Sequence, residues 1–247
     1  MQEQSRCAIA VMAKAPQPGR SKTRLCPPVQ LDHAAWLSEG FLRDMFHNIA
    51  HAASQAPIAG YAAYAPAGSE AAMRALLPPG MDLVLADGTL PMPRDVQGFG
   101  RSLLHAIKAL FDLGHQAACV LNSDSPTLPT ACLVHAAQVL MEPGDRVVLG
   151  PAEDGGYYLL GMRKAHAPLF ADIAWSTGTV ARDTRLRAAA LGLEVVELPV
   201  WYDVDDAASL LRLMLEIGAG VSNAFPAPAT QSVLRRLGLV ALPAAAE

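Results

Sequence analysis

Seven short apolar runs punctuate the chain: Cys7–Met12, Ile58–Tyr64, Leu83–Ala86, Ala118–Asn122, Arg146–Gly150, Tyr157–Gly161 and Glu194–Leu198. Most are bounded by Gly, Pro or Asp, the pattern of strands covered on both faces of a mostly parallel sheet. Longer stretches with helical spacing lie between them, over Leu31–Ser54, Arg101–Asp112, Thr130–Met141, Val180–Leu191 and Ala207–Ile217. In the second of these, Leu103, Ile107 and Leu110 share one face, as in a helix resting on a sheet. Strand–helix alternation predicts an α/β fold, a three-layer Rossmann-like sandwich. Such folds bind ligands at the carboxyl ends of their strands, which directs attention to the segments after Met12, Asn122 and Gly150. Residues 1–217 read as one domain, and 218–247 as a tail broken by Pro226, Pro228 and Pro243 with a short helix over Gln231–Leu237.

Composition narrows the class. With 52% hydrophobic and 17% charged residues, the 247-residue chain has the apolar surface to fold. The net charge of −4 argues against a nucleic-acid binder, which needs a strongly basic surface. Met1–Arg6 is polar and lacks the order of features of a signal peptide. Met45–Ser69 carries no Asp, Glu, Lys or Arg, but its His, Asn, Gln, Pro and Gly residues argue against a membrane span. Cys7, Cys26, Cys119 and Cys132 form no C-x-x-C pair and read as reduced thiols, Cys7 and Cys119 in the core. The expectation is a cytoplasmic protein.

The charges are unevenly distributed. Between Glu3 and Asp32 there is no acid, while Lys14, Arg20, Lys22 and Arg24 crowd the loop after the first strand. Pro16, Pro18 and Gly19 shape that loop, and a cationic loop in this position suits a polyphosphate. It is not a Walker A loop: with Lys22-Thr23 in the last two places, the required glycines are Pro16 and Ser21.

Three acidic clusters follow. Asp124 lies in Asn122-Ser123-Asp124-Ser125-Pro126 directly after a strand, placed to ligate a divalent metal or to form an Asx turn or helix cap. Glu153-Asp154-Gly155-Gly156-Tyr157-Tyr158 reads as a hairpin turn whose tyrosines could contact a ring or sugar. Asp203-Val204-Asp205-Asp206 precedes a helix, which Asp205 or Asp206 would cap, and offers a second metal ligand facing Asp124. Mg²⁺ bound to a nucleotide needs only one or two carboxylates, so Asp124 with Asp205 suffices. His47 and His51 are four apart on a helix but lack a third ligand, so they read as surface. Ser176 or Thr177, after Trp175, reads as a cap for the next helix. Gln97-Gly98-Phe99-Gly100 is too short for a dinucleotide fingerprint, yet its N–H groups could meet a phosphate or base.

Together these motifs resemble the bacterial glycosyltransferase-like family of the nucleotide-diphospho-sugar transferase (GT-A) superfamily, related to molybdenum cofactor and phospholactate guanylyltransferases. The matching stretches are Ala13-Lys14-Ala15-Pro16 with Gly19 and Lys22-Thr23-Arg24-Leu25, then Ser123-Asp124-Ser125-Pro126 with Leu128-Pro129. Gly150 to Leu159, Trp175-Ser176-Thr177 and Asp203-Val204-Asp205 complete the set, in the family's order over about Ile9 to Leu210. The resemblance implies a GT-A fold and Mg²⁺ or Mn²⁺ held by Asp124 and Asp205. It implies phosphate contacts by Lys14, Lys22 and Arg24; Gly19, Arg20 and Thr23 on the same loop, and the N–H groups of Gln97 and Gly98, are further nucleotide-binding candidates. It sets Asp154, with Gly155 and Gly156, toward a second, unknown small substrate, for which Tyr157, Trp175, Ser176 and Thr177 are further candidates. Asp154 and Lys22 become the catalytic candidates, and Asp203 stays an alternative to Asp205 as the second metal ligand. The chain departs from the family's pattern at Asn122-Ser123 (usually Gly-Thr), at Asp206 (usually Thr) and at Phe99-Gly100-Arg101-Ser102, where an acidic-Leu-Gly-x-Arg pattern is usual. The implied reaction is glycosyl transfer from a nucleotide-diphospho-sugar. The alternatives are nucleotidyl transfer from a nucleoside triphosphate to a small phosphorylated acceptor with pyrophosphate release, and a nucleotide-binding protein without catalysis.

Overall fold

The structure, a computed structural model, describes residues 6–220 and 223–240. Seven strands form one sheet: β1 (Cys7–Ala13), β2 (Ile58–Tyr64), β3 (Asp82–Leu85), β4 (Ala117–Leu121), β5 (Arg146–Pro151), β6 (Tyr157–Met162) and β7 (Glu194–Glu197). Their spatial order is β3-β2-β1-β4-β6-β5-β7. All neighbours pair parallel except β6, which runs antiparallel to β4 and β5. Six strands therefore share one direction, and their carboxyl ends line one edge. The helices are α1 (Leu31–Ala53), α2 (Glu70–Arg74), α3 (Phe99–Asp112), α4 (Thr130–Met141), α5 (Val180–Ala190), α6 (Ala207–Ala219) and α7 (Pro228–Arg236).

Side-chain alternation on the sheet builds two cores. Ile9, Val11, Cys119 and Leu121 face α1 and α4, where Met45, Phe46, Ile49, Leu133 and Leu140 cover them. Ala8, Ala10, Val120 and Leu160 face the other way, onto Leu103, Ile107 and Leu110 of α3. The apolar face expected of α3 is thus the buried one. Each strand and helix expected from the pattern is present, with ends shifted by a few residues. The unexpected α2 has five residues, too few for a helical period to show. Helix α3 starts two residues early, at Phe99, because Gly98 (φ 53°) takes a conformation that breaks from the preceding chain. Helix α7 starts three residues before the expected turn, with Pro228 in its first position.

A third core lies under the first loop. Leu25, Leu37, Phe41, Val204, Leu210, Leu213 and Leu234 bury one another between α1, α6 and α7. Asp44 of α1, fully buried, accepts hydrogen bonds from the backbone N–H groups of Ala229 (2.9 Å) and Thr230 (2.7 Å). It thereby caps α7 from another helix, because the residue at α7's own N-cap, Ala227, has no side-chain acceptor. Among the described residues no helix is long and apolar enough to cross a membrane.

Candidate functional site

The strand order reverses between β1 and β4: from β1 the chain moves to β2 on one side, and β4 lies on the other. This switch point is where an open α/β sheet leaves a crevice at its carboxyl edge. The loops after β1, β4 and β7 and the β5–β6 turn all emerge there.

The β1 loop tightens at Gly19 (φ 73°), where Arg20 and Ser21 donate backbone N–H groups to the carbonyl of Gln17. A short 3-10 turn over Thr23–Leu25 follows, and Leu25 anchors it in the third core. Lys22, between the two, is left-handed (φ 50°, ψ 37°), a conformation costing a non-glycine residue about 1 kcal/mol. Its side chain is only 9% exposed and crosses to the other loops. Lys22 Nζ lies 2.6 Å from Asp124 Oδ1 and 2.8 Å from Asp205 Oδ1, and donates to the Val204 carbonyl at 2.8 Å. The Phe41 ring lies 5.5 Å beneath it. Burial works against the ammonium's charge, but the attraction of Asp124 and Asp205 outweighs it and raises the pKa above the ordinary lysine value. Arg24 pairs with Asp205 from the exposed side. Lys14, Arg20 and Thr23 are exposed on the same loop, and among the described residues neither Lys14 nor Arg20 forms an ion pair.

The β4 and β7 loops are stapled together. Asp203 Oδ1 accepts from Asn122 Nδ2 (2.7 Å) and Ser125 Oγ (2.8 Å), and Val204 N–H donates to the Asp124 carbonyl (2.8 Å). Burial, chiefly, with the nearby Asp124, Asp154 and Asp205 charges, pushes the Asp203 carboxyl up to about 6. The sequence singled out Asp203 only as a member of the acidic cluster and a candidate ligand, and Asn122 only as a departure from the family's usual residue; their pairing across the two loops was not foreseen. Asp124 does not cap α4, whose N-cap is Pro129; its Oδ1 meets Lys22 and also accepts from Ser123 Oγ (2.9 Å). Asp206, by contrast, caps α6 in a reciprocal capping box with Ser209.

The β5–β6 turn joins the same cluster. Glu153 N–H donates to the Trp201 carbonyl (3.0 Å), and Glu153 pairs with Arg212 at 2.6 Å. Asp154 is exposed, and its Oδ1 accepts from Gly156 N–H (2.8 Å) in a tight local turn. Gly155 (φ 88°) packs so closely that a Cβ there would stand 2.1 Å from the Gly178 carbonyl oxygen. Its own carbonyl accepts from Ala181 N–H in the first turn of α5 (2.9 Å). This corrects the expectation that Ser176 or Thr177 caps α5. No side chain caps that helix, and Thr177 Oγ1 instead donates to the Ala174 carbonyl (2.7 Å).

Trp175 lies on the amino end of α3, in edge-to-face contact with Phe99 (centroids 5.9 Å apart). A Cβ on Gly100 would stand 2.8 Å from the indole, and one on Gly98 3.4 Å from it. The two weak motifs, Gln97-Gly98-Phe99-Gly100 and Trp175-Ser176-Thr177, are thus neighbours. Tyr157 Oη and Trp175 Nε1 are both buried without a hydrogen-bond partner among the described residues. His47 is exposed and bonds the Arg43 carbonyl, as a surface residue would. All four cysteines are free.

The chain matches the model of a family described as "uncharacterized protein conserved in bacteria (DUF2064)" over residues 48–177. It belongs to that family. The matched span holds the Asp124 loop, the Asp154 turn and Trp175-Ser176-Thr177. Among solved structures, the chain is similar to a candidate nucleotide-diphospho-sugar transferase from Desulfovibrio desulfuricans G20. The two are 29% identical over 95% of this chain and 96% of that one, with a TM-score of 0.78. The fold is also shared with CMP:2-keto-3-deoxy-manno-octonic acid synthetase complexed with CTP (13% identity, 88% and 100% covered, TM-score 0.54). A cytidylyltransferase from Leptospira borgpetersenii serovar Hardjo-bovis shares it too (10% identity, 98% and 100% covered, TM-score 0.53). No curated protein matches the chain. The fold is that of the nucleotide-diphospho-sugar transferase superfamily, as the motifs implied.

Proposed function

We propose that this chain is a metal-assisted transferase acting on a nucleotide-activated substrate, with glycosyl transfer from a nucleotide-diphospho-sugar as its reaction. One observation carries the reading: Lys22, Asp124 and Asp205 converge at the β1/β4 switch point, beside a loop whose remaining cations are exposed. The Desulfovibrio protein's similarity over nearly the whole chain supports the same class.

Among the described residues no group of three or more His, Cys, Asp or Glu side chains forms a ready-made metal site. The residues present nevertheless fit a hard divalent ion brought in with a nucleotide. Asp124 and Asp205 already hold one cation between them, the Lys22 ammonium. Asp124, Asp154, Asp203 and Asp205 also outnumber the cations Lys22 and Arg24 by two charges. Bound Mg²⁺ or Mn²⁺ would supply charge neutralisation at the diphosphate. Lys14, Arg20 and Arg24 lie where a diphosphate would gain further positive charge as it departs. Asp154, exposed on its turn with no hydrogen bond to Oδ2 among the described residues, takes the acceptor's proton, and Gly155, Gly156, Tyr157, Trp175, Ser176 and Thr177 frame the acceptor. Gln97 and Gly98, at the amino end of α3, would meet the base.

Nucleotidyl transfer is the second reading, and one feature favours it. Asp154 Oδ1 is occupied by Gly156 N–H, and an anionic phosphate acceptor requires no general base. Product analysis separates the two. The protein is incubated with Mg²⁺ and panels of nucleotide-sugars and nucleoside triphosphates, each with a mixture of small acceptors. Release of nucleoside diphosphate supports glycosyl transfer, and release of pyrophosphate supports nucleotidyl transfer. Release of neither, in protein that binds nucleotide, supports a binding protein without catalysis.

A further inference from the structure

Lys22 is an unusual residue to find between two proposed metal ligands. It sits on a left-handed backbone, is almost wholly buried, and spends all three ammonium protons within the site: on Asp124, on Asp205 and on the Val204 carbonyl. None of its donors is left for a phosphate. The cations that do face outward are Lys14, Arg20 and Arg24. A divalent ion held by Asp124 and Asp205 would compete with Lys22 for the same two carboxylates. Two cations cannot share that position in a half-buried setting, where like charges repel strongly. We propose that Lys22 is a built-in counter-cation of the carboxylate pair, exchanged for the divalent metal when the metal–nucleotide complex binds. This rests on the metal-assisted reading above and adds how the carboxylate pair is held before the metal arrives. Without ligand, Lys22 neutralises two carboxylates that would otherwise repel each other, and it keeps the β1, β4 and β7 loops together. Metal entry releases its ammonium on the loop that already carries the phosphate-facing cations. Metal and nucleotide binding are therefore linked through one side chain, and metal alone binds weakly because it must first displace Lys22.

Two measurements on the full chain test this without any turnover assay. The first is Mn²⁺ titration followed by the electron paramagnetic resonance signal of the free ion, in wild type, Lys22→Met and Asp124→Asn, with circular dichroism verifying that each is folded. Lys22→Met is expected to bind Mn²⁺ alone at least ten-fold more tightly than wild type, and Asp124→Asn to lose the site. The second uses wild type only, so it stands whether or not the variant folds. Pulse acetylation with peptide mass spectrometry compares Lys22 with Lys14, Lys108 and Lys164. Millimolar Mn²⁺ is expected to raise labelling of Lys22 several-fold and leave the other three unchanged. Mn²⁺ binding that is equal or weaker in folded Lys22→Met, or Lys22 labelling indifferent to bound Mn²⁺, overturns the exchange while leaving the metal-assisted reading intact. Absence of Mn²⁺ binding to both wild type and Lys22→Met overturns the exchange, and its absence from both with nucleoside triphosphate or nucleotide-sugar added overturns the metal-assisted reading too.

Discussion

Replacing Gly155 with Ala tests how the acceptor side of the site is held. The β5–β6 turn and the segment before α5 meet backbone to backbone, and an added Cβ would stand 2.1 Å from the Gly178 oxygen and 2.6 Å from its carbon. Neither contact is a side-chain end that can swing away. The residue also sits at φ 88°, where an L side chain is strained by about 1–2 kcal/mol. Overpacking adds about 1–3 kcal/mol. Shifting the loops would also weaken the 2.9 Å bond from Ala181 N–H to the Gly155 carbonyl, worth about 1 kcal/mol. A total loss of about 2–6 kcal/mol is expected for Gly155→Ala. Gly156→Ala is the matched control. Its Cβ would meet Asp154 Oδ1 at 3.0 Å, a side-chain atom that can rotate, and the loss should stay below about 1 kcal/mol. Urea unfolding at 25 °C reads both as midpoint shifts at unchanged slope. Equal stability of the two variants would refute the claim that the Gly155–Gly178 contact fixes the turn.

Asp44→Ala leaves two N–H groups of α7 unpaired, that of Thr230 buried and that of Ala229 part-buried, and should cost about 2 kcal/mol by the same unfolding measurement. Burial raises the Asp44 carboxyl in the fold, despite opposing hydrogen bonds from Thr230 and Ala229, so the native state holds a proton the unfolded chain releases. Its contribution is complete below the unfolded carboxylate value near 4 and declines as pH rises through the elevated folded value. The stability gap between wild type and Asp44→Ala should therefore be wider at pH 4 than at pH 7, and a gap that widens with pH would reverse the sign. Gly100→Ala drives a Cβ to within 2.8 Å of the Trp175 indole; it should destabilise by about 1–3 kcal/mol and shift the emission of that tryptophan, whereas an unchanged spectrum would contradict the packing.

The sheet and most helices were legible because apolar periodicity is a local property of the chain. Strands such as Ile58–Tyr64 and helices such as Thr130–Met141 lie where the pattern puts them. Site membership was legible for a different reason: once six strands share a direction, every loop after a strand reaches the same edge. That rule brings Lys22, Asp124, Asp154 and Asp205 together without knowledge of the strand order. What it cannot supply is pairing. That Lys22 bonds both Asp124 and Asp205 depends on a left-handed turn held by Leu25, and neither adjacency along the chain nor residue type signals it. The staple of Asp203 to Asn122 and Ser125 spans about eighty residues and was hidden for the same reason. Asp44 looked like one more charge on a long helix. Only the packing of α7, which begins at Pro228 in the expected tail, turns it into a cap. Gly155 carried the signal of an ordinary hairpin glycine, whereas its tightest constraint comes from Gly178, twenty-three residues away.

The central claim, that the carboxyl edge between β1 and β4 binds a metal–nucleotide complex through Asp124 and Asp205, is tested most directly by thermal stabilisation. Tm is measured for wild type and Asp124→Ala with panels of nucleoside triphosphates, nucleoside diphosphates and nucleotide-sugars, each with and without Mg²⁺ or Mn²⁺. Ligand at a hundred times its Kd stabilises a native state by about 2.7 kcal/mol, a shift of several degrees for a chain of this size. At least one nucleotide should raise the wild-type Tm in a metal-dependent way, and the rise should vanish in folded Asp124→Ala. A wild-type Tm that no nucleotide moves, with or without metal, would contradict the account.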